Sequence, residues 1–197
     1  PDLVLAFSDI QADITRELVK RGHTVFTFNQ RSIAEILQAI CLIGSLVGRQ
    51  RDAELLASRL QENLERVRKE ALSLPRRPRV YFEEWPEPMI SGIRWVSELI
   101  EIAGGEDVCA GLSHGSLARE RFVDPSAVLE ANPDVIVASW CGKKVKHTEI
   151  VGRPGWEELK AIQSKHLYEV DSTIILHPGP ASLSAGLDAL ARIIKAV

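Results

Sequence analysis

The chain has 197 residues, of which 45% are hydrophobic and 26% are charged, and its formal net charge is −3. This composition is typical of a globular protein of one or two domains, long enough to bury a sizeable core. The slightly acidic balance argues against a nucleic-acid partner, and no apolar stretch reaches the roughly 18 residues that a membrane-spanning helix needs.

The first 50 residues predict strands that alternate with helices. Ser32 and Glu35 have the spacing of a capping box, which marks a helix start. Because two parallel strands and two helices cannot cover both faces of a sheet, we expect part of this lobe to lie ahead of Pro1. The predicted elements are strands at 3–6 and 24–28, a helix at 10–20 and a second helix from Ser32.

A long amphipathic helix is predicted at 51–74, which would span about 35 Å. It ends at the proline-rich segment 75–78, which predicts a stiff hinge. We therefore divide the chain into the remainder of an N-terminal lobe, a connecting helix with its hinge, and a C-terminal α/β lobe. The boundaries are 1–50, 51–78 and 79–197.

The second half repeats the α/β alternation and is expected to form a complete small lobe. The fold class predicted for the whole chain is therefore α/β. The predicted elements are strands at 79–83, 134–138 and 166–170, helices at 93–103 and 182–196, and a short helix entered at Asp124 and Pro125.

The carboxyl ends of strands in open α/β sheets are where ligands bind, so the residues after each strand are the candidate site. Aromatic and polar side chains in rigid Pro/Gly loops predict a pocket for a large, flat ligand. For each residue the alternative is structural, namely loop packing for the tryptophans and histidine and a solvated loop for the lysine. The candidates are Phe7, Glu84, Trp85, Trp140, Lys143 and His177, whereas Trp95 and Trp156 are expected to be core anchors.

Catalytic and metal motifs are weak in this sequence. Cys41, Cys109 and Cys141 lack metal-ligand spacing, and we expect three buried thiols, with one disulfide and one buried thiol as the alternative. An enzyme using Cys141 with His147 or His177 is the alternative from another class, but no Gly-x-Ser-x-Gly or nucleotide-binding motif accompanies them. We therefore expect no catalytic residue, no metal site and no cofactor.

Four segments together resemble the periplasmic binding proteins that deliver vitamin B12, iron-siderophores and haem to ABC importers, most closely the cobalamin-binding branch. The segments are Pro-Asp-Leu-Val-Leu-Ala at 1–6, Arg-Val-Tyr-Phe-Glu-Glu-Trp at 79–85, the run at 95–106 that ends in Gly-Gly-Glu, and Asn-Pro-Asp-Val-Ile-Val at 132–137. The resemblance covers essentially the whole chain. It implies two Rossmann-like lobes joined by one rigid helix, the first lobe being incomplete here, with the ligand held between them.

The resemblance also implies which residues act. Phe7 would be a cleft aromatic, and Glu84 and Trp85 would face the ligand from the second lobe. The transported ligand would be a corrinoid, with a ferric siderophore or haem as the alternative.

The partner implied by the resemblance is a membrane permease, which contacts one acidic residue on each lobe. The family's second-lobe acid falls at Ser126 in this chain, so Asp124 or Glu130 would have to supply the charge. The implied location is periplasmic or extracytoplasmic, although the chain contains no signal peptide. A second copy of the chain could pair with the uncovered edge of the first lobe and form a homodimer.

Overall fold

The computed structural model describes residues 1–197 and has two α/β lobes joined by one long helix. The N-terminal lobe contains a two-stranded parallel sheet, in which Val4 pairs with Val25 and Phe7 with Phe28. The elements of this lobe are β1 (Val4–Phe7), a 3-10 turn (Asp9–Gln11), α1 (Ala12–Lys20), β2 (Val25–Phe28) and α2 (Ile33–Leu46). None of the residues of α1 is buried, because this small sheet offers the helix little surface to pack against.

The capping box predicted at the start of α2 is confirmed. The Ser32 hydroxyl accepts a hydrogen bond from the Glu35 amide at 3.3 Å, and the Glu35 carboxylate accepts one from the Ser32 amide at 2.9 Å. Two of the amides left without helical partners at this end are thereby satisfied.

The long helix predicted at 51–74 is observed as α3 (Gln50–Ala71), which has 22 residues. Its buried side chains Leu60, Leu64 and Val67 recur at helical spacing and form one apolar stripe. The Asn63 amide on the same helix donates a hydrogen bond to the Leu183 carbonyl oxygen at 3.1 Å. The helix is therefore attached to the C-terminal lobe along its second half.

The C-terminal lobe has five strands in the order β4-β3-β6-β7, with β5 also pairing with β3. Strands β3, β5, β6 and β7 are parallel, and β4 is antiparallel to β3. The strands are β3 (Arg79–Pro86), β4 (Met89–Ser91), β5 (Glu106–Asp107), β6 (Val135–Ala138) and β7 (Leu167–Glu169). The helices are α4 (Arg94–Ile102), α5 (Pro125–Ala131), α6 (His147–Val151), α7 (Lys160–Gln163), α8 (Ser172–Ile175) and α9 (Leu187–Lys195), preceded by a π-helical turn (Ser182–Gly186). Short 3-10 turns lie at Ala110–Leu112, Ala118–Arg121 and Trp156–Glu158.

Two hydrophobic cores cover the two faces of this sheet, because alternate residues of a strand point to opposite sides. Val80 and Phe82 enter a core that Trp95 shares. Tyr81 enters the other core, where its ring contacts Trp156 edge to face at 5.9 Å. The prediction that Trp95 and Trp156 are core anchors is confirmed, since they are 3% and 0% exposed.

The prediction of a loop after residue 83 is wrong, because β3 continues through Pro86 and turns back into β4. The pairing shifts by one residue at Glu84, which leaves Trp85 opposite Ile90. Such a bulge bends a strand and re-aims its side chains. Residues 84–86 therefore belong to a hairpin with its own backbone partners.

Direct hydrogen bonds connect the two lobes beside the start of α2. The Ile33 amide donates to the Glu98 carboxylate of α4 at 2.7 Å, and the Gln30 side-chain amide donates to the Pro178 carbonyl oxygen at 3.3 Å. All three cysteines are free thiols, which removes the alternative of a disulfide, but the expectation that all three are buried is wrong. Cys109 is buried, whereas Cys41 is half-buried and Cys141 is exposed in the loop after β6. None of the helices combines the length and the apolar character needed to span a bilayer.

Candidate ligand-binding cleft

Trp85 lies near the carboxyl end of β3, beside the loop that follows β6. The Lys143 ammonium from that loop lies 4.0 Å from the centroid of the Trp85 ring, a cation–π contact. The Trp85 indole N–H donates to the Glu87 carbonyl oxygen at 2.9 Å, which fixes the ring on its hairpin. The structure therefore brings together two of the predicted ligand residues.

Trp140 does not face the cleft. It is 2% exposed, and its indole N–H donates to the Glu83 carboxylate at 3.0 Å. Trp140 therefore belongs to the support beneath the cleft, because it directly follows β6 and fills the core on that side of the sheet.

Glu83 is the centre of that support and is fully buried. Arg153 makes a bidentate pair with it, at 2.5 Å and 3.0 Å. Tyr81 donates its hydroxyl proton to the same carboxylate at 3.1 Å, and burial raises the pKa of Tyr81 well above its ordinary value, so this hydroxyl remains a donor. With the bond from Trp140, four donors hold the Glu83 oxygens, which is what a buried charge requires.

Glu84 contributes a second ion pair, on the hairpin itself. The Arg121 guanidinium binds its two carboxylate oxygens at 2.6 Å and 3.3 Å and also donates to the Ser91 carbonyl oxygen. Glu84 was expected to face the ligand, but its carboxylate instead forms an ion pair with Arg121, which is 3% exposed.

The N-terminal wall is formed at the carboxyl ends of β1 and β2. Phe7 is half-buried, and the Arg31 guanidinium carbon lies 5.1 Å from its ring centroid. Ser8 has a φ of 73°, a left-handed conformation that is costly for a residue with a Cβ. Its hydroxyl accepts a hydrogen bond from Arg31 at 3.0 Å, which ties the strained turn to the end of β2.

Arg31 was missed in the sequence analysis, which examined the residues after β1, β3, β6 and β7 but not those after β2. Its side chain is 15% exposed, and the Asp9 carboxylate is 3.9 Å away. Its Nε is buried without a hydrogen-bond partner, and its terminal nitrogens donate to the Gln30 carbonyl oxygen and the Ser8 hydroxyl. Applying the same rule about strand ends to β2 would have found it.

His177 lies on the C-terminal lobe next to Pro178, the residue that accepts the hydrogen bond from Gln30 of the other lobe. It is exposed, at the point where the two lobes meet.

The predicted docking residues Asp124, Ser126 and Glu130 are all exposed on or beside α5. Asp124 caps the helix and accepts hydrogen bonds from the Ser126 hydroxyl at 2.6 Å and the Ser126 amide at 2.8 Å. These bonds, the side-chain bond first, hold the pKa of Asp124 below its ordinary value. Asp124 therefore presents a fixed negative charge.

A cavity of about 700 Å³ lies elsewhere, between the start of α2, the second half of α3 and α4. None of the predicted ligand residues lines it. Its polar lining includes Arg94 and Glu98, which already pair with each other at 2.9 Å. We place the candidate site at the strand ends, where Lys143 lies against Trp85 in the C-terminal lobe and Arg31 lies against Phe7 in the N-terminal lobe.

A family model described as periplasmic binding protein matches residues 1–174. The chain belongs to this family. An uncharacterized ABC transporter substrate-binding lipoprotein of Bacillus subtilis, YvrC, is 28% identical over 203 residues, which cover 98% of this chain and 62% of that protein. The chain thus spans about six-tenths of the length of this relative.

Solved structures of the same fold include proteins that bind different ligands. The periplasmic haem-binding protein RhuT from Roseiflexus matches with a TM-score of 0.83 and 19% identity, over 100% of this chain and 76% of that one. The periplasmic vitamin B12 binding protein BtuF of Vibrio cholerae matches with a TM-score of 0.72 and 20% identity, over 100% of this chain and 74% of that one. The predicted fold, with two α/β lobes and one long connecting helix, is thereby confirmed.

Proposed function

We propose that this protein is the substrate-binding component of an ABC importer and that it binds cobalamin between its two lobes for delivery to a membrane permease. The observation that carries the proposal is Trp85, an incompletely buried indole held at the carboxyl end of the C-terminal sheet with Lys143 against its face. Membership of the periplasmic binding protein family, and the similarity to the substrate-binding lipoprotein YvrC and the vitamin B12 binding protein BtuF, support the class of function.

The proposed mechanism requires no catalytic step. Phe7 and Trp85 supply flat apolar surface from the two walls, and Lys143 and His177 supply polar contacts at the rim. Glu83, with its four donors, holds the ends of β3 and β6 in a fixed relation. Such preorganisation reduces the ordering cost of binding, so that more of the desolvation of a large ligand contributes to affinity.

Cyanocobalamin titration followed by tryptophan fluorescence tests the proposal. Trp85 is the only one of the four tryptophans that is not buried, so it is the one that a ligand in the cleft can contact. We expect saturable quenching in the wild type. Equilibrium dialysis of Trp85→Ala, which needs no fluorescent reporter, should show at least a tenfold loss of affinity.

Two lysines in the same loop provide a matched control. Lys143 contacts the Trp85 ring, whereas its exposed neighbour Lys144 makes no such contact. Lys143→Ala should weaken binding and Lys144→Ala should not. The proposal of a corrinoid is refuted if cyanocobalamin does not bind while haem or a ferric siderophore does.

A second ligand class, a haem or an acidic siderophore, is favoured by Arg31. Its guanidinium lies beside Phe7 at the end of β2, its side chain is 15% exposed, and its carboxylate neighbour Asp9 is 3.9 Å away. A ligand that carries carboxylates would pair with this group. Haem should then bind more tightly than haem dimethyl ester, and Arg31→Gln should remove that preference.

A small enzyme that uses Cys141 is less favoured, because the family to which the chain belongs is one of binding proteins. Incubation with ester and amide substrates, compared between wild type and Cys141→Ala, tests this alternative directly.

A further inference from the structure

The segment 121–123 is joined to the β3–β4 hairpin like an additional edge strand. The Val123 amide donates to the Met89 carbonyl oxygen at 2.9 Å, and Phe122 forms an antiparallel bridge with Ile90. The Ser91 hydroxyl donates to the Arg121 carbonyl oxygen at 3.3 Å. The backbone that carries Phe122 is thus fixed to the hairpin that carries Trp85.

Phe122 itself is 47% exposed, although its neighbours Arg121 and Val123 are buried. Beside it is a pocket of about 330 Å³, most of whose lining is apolar. Its lining includes Val108, Leu112, Phe122, Val123, Asp124 and Ala127. A pocket of this size is at the lower end of the range for small-molecule sites, so it suits one or two apolar side chains rather than a macrocycle. A large exposed aromatic beside an apolar pocket is typical of a protein interaction site.

One carboxylate lines this pocket, and a second lies on the turn that precedes Phe122. Asp124 at its rim is held ionised by Ser126, as described above. Hydrogen bonding by the Leu117 amide likewise lowers the pKa of Glu120, which is exposed on the preceding turn. Arg121 is neutralised by Glu84, which leaves Arg119 as the exposed cation of this turn. A partner surface that fits would therefore present an apolar side chain next to a basic one.

We propose that Phe122 and the adjacent apolar pocket form a docking socket for an apolar side chain of the importer's membrane subunit, next to a basic residue that pairs with Asp124. The proposal rests on the proposed function, because it takes the importer as partner. The socket would add a hydrophobic contact to the charged contact with the permease that the family resemblance implies for this lobe.

The test measures binding of the protein to its cognate importer, permease with ATPase subunits, reconstituted in nanodiscs. Phe122→Ser removes the exposed ring, and Ala127→Trp fills the pocket from an exposed position of α5. We expect each variant to lose at least tenfold in importer affinity and to lose stimulation of ATPase activity. Cyanocobalamin affinity should stay within twofold of the wild type. Leu72→Ser, an exposed apolar residue at the end of α3, is the matched control and should dock normally.

Docking of both variants within twofold of the wild type overturns the socket. So does a wild-type protein that binds ligand but not the importer. If the wild-type protein binds neither cyanocobalamin, haem nor a ferric siderophore, the proposed function is refuted instead. Importer binding by the Phe122→Ser and Ala127→Trp variants, measured without ligand, then still tests the docking socket. Circular dichroism of each variant establishes that the fold is retained. Because Phe122→Ser removes a side chain and Ala127→Trp fills the pocket, one folding defect would not explain a loss of docking in both.

Discussion

The buried ion pair between Glu83 and Arg153 gives a quantitative prediction about the support of the cleft. Glu83 is fully buried and the Arg153 side chain is 15% exposed. Arg153→Met leaves the carboxylate with two donors, from Trp140 and Tyr81, and without a compensating charge. Removing one partner of a buried pair costs about 3–5 kcal/mol. Against a total stability of about 5–15 kcal/mol, this is a large fraction.

Urea unfolding followed by circular dichroism measures this cost. The matched control is Arg94→Met, which breaks a pair with Glu98 in which the side chains are 45% and 31% exposed. Such pairs contribute about 0–1 kcal/mol. The double variant Glu83→Gln with Arg153→Met should recover part of the loss, because it no longer buries an unpaired charge. The reasoning is refuted if Arg153→Met costs no more than Arg94→Met.

Three further predictions concern stability and reactivity. Ser32→Ala removes the helix cap and should lower the free energy of unfolding by about 1 kcal/mol, measured by urea unfolding; no change would mean that another group caps the helix. Burial raises the pKa of Asp107 in the folded state above its value in the unfolded chain, so stability is lost as pH rises from the unfolded-state pKa through the folded-state pKa. Asp107→Asn should therefore gain stability relative to the wild type at neutral pH, and the difference should shrink in unfolding measured below pH of about 4; a gap independent of pH would contradict this. Burial, and secondarily the Asp107 charge, raises the pKa of Cys109 to about 12, so a thiol reagent should modify exposed Cys141 in the native protein and Cys109 only after unfolding, as thiol titration would show.

Local sequence signals were sufficient to predict where the helices with clear capping residues begin. Ser32 with Glu35 marked the start of α2, and Asp124 with Pro125 marked the start of α5. The apolar stripe predicted a long helix, although α3 ends at Ala71, earlier than expected. These features depend on residues within one or two turns of each other, which a sequence displays directly.

The candidate site was only partly predictable, because its polar groups choose partners that are distant in the chain. Trp85 and Lys143 are 58 residues apart and meet as expected at adjacent strand ends. Glu84 and Trp140, by contrast, are held by Arg121 and Glu83. The spacing of residues along the chain does not indicate such pairings, because they depend on which strands are neighbours in the sheet.

The sequence by itself determined the alternation of strands and helices, the family resemblance and the set of strand ends at which a ligand site would lie. These follow from periodicity, capping and chain order, which are local properties. Only the tertiary structure decided which of the candidate side chains face the cleft and which are buried beneath it. The short strand β4 pairs with β3 through Pro86 and re-aims Trp85, and this pairing also fixes Phe122 at the surface. The physical reason is that a three-residue strand has too few residues to show a period, and its stability comes from backbone partners supplied by the rest of the fold.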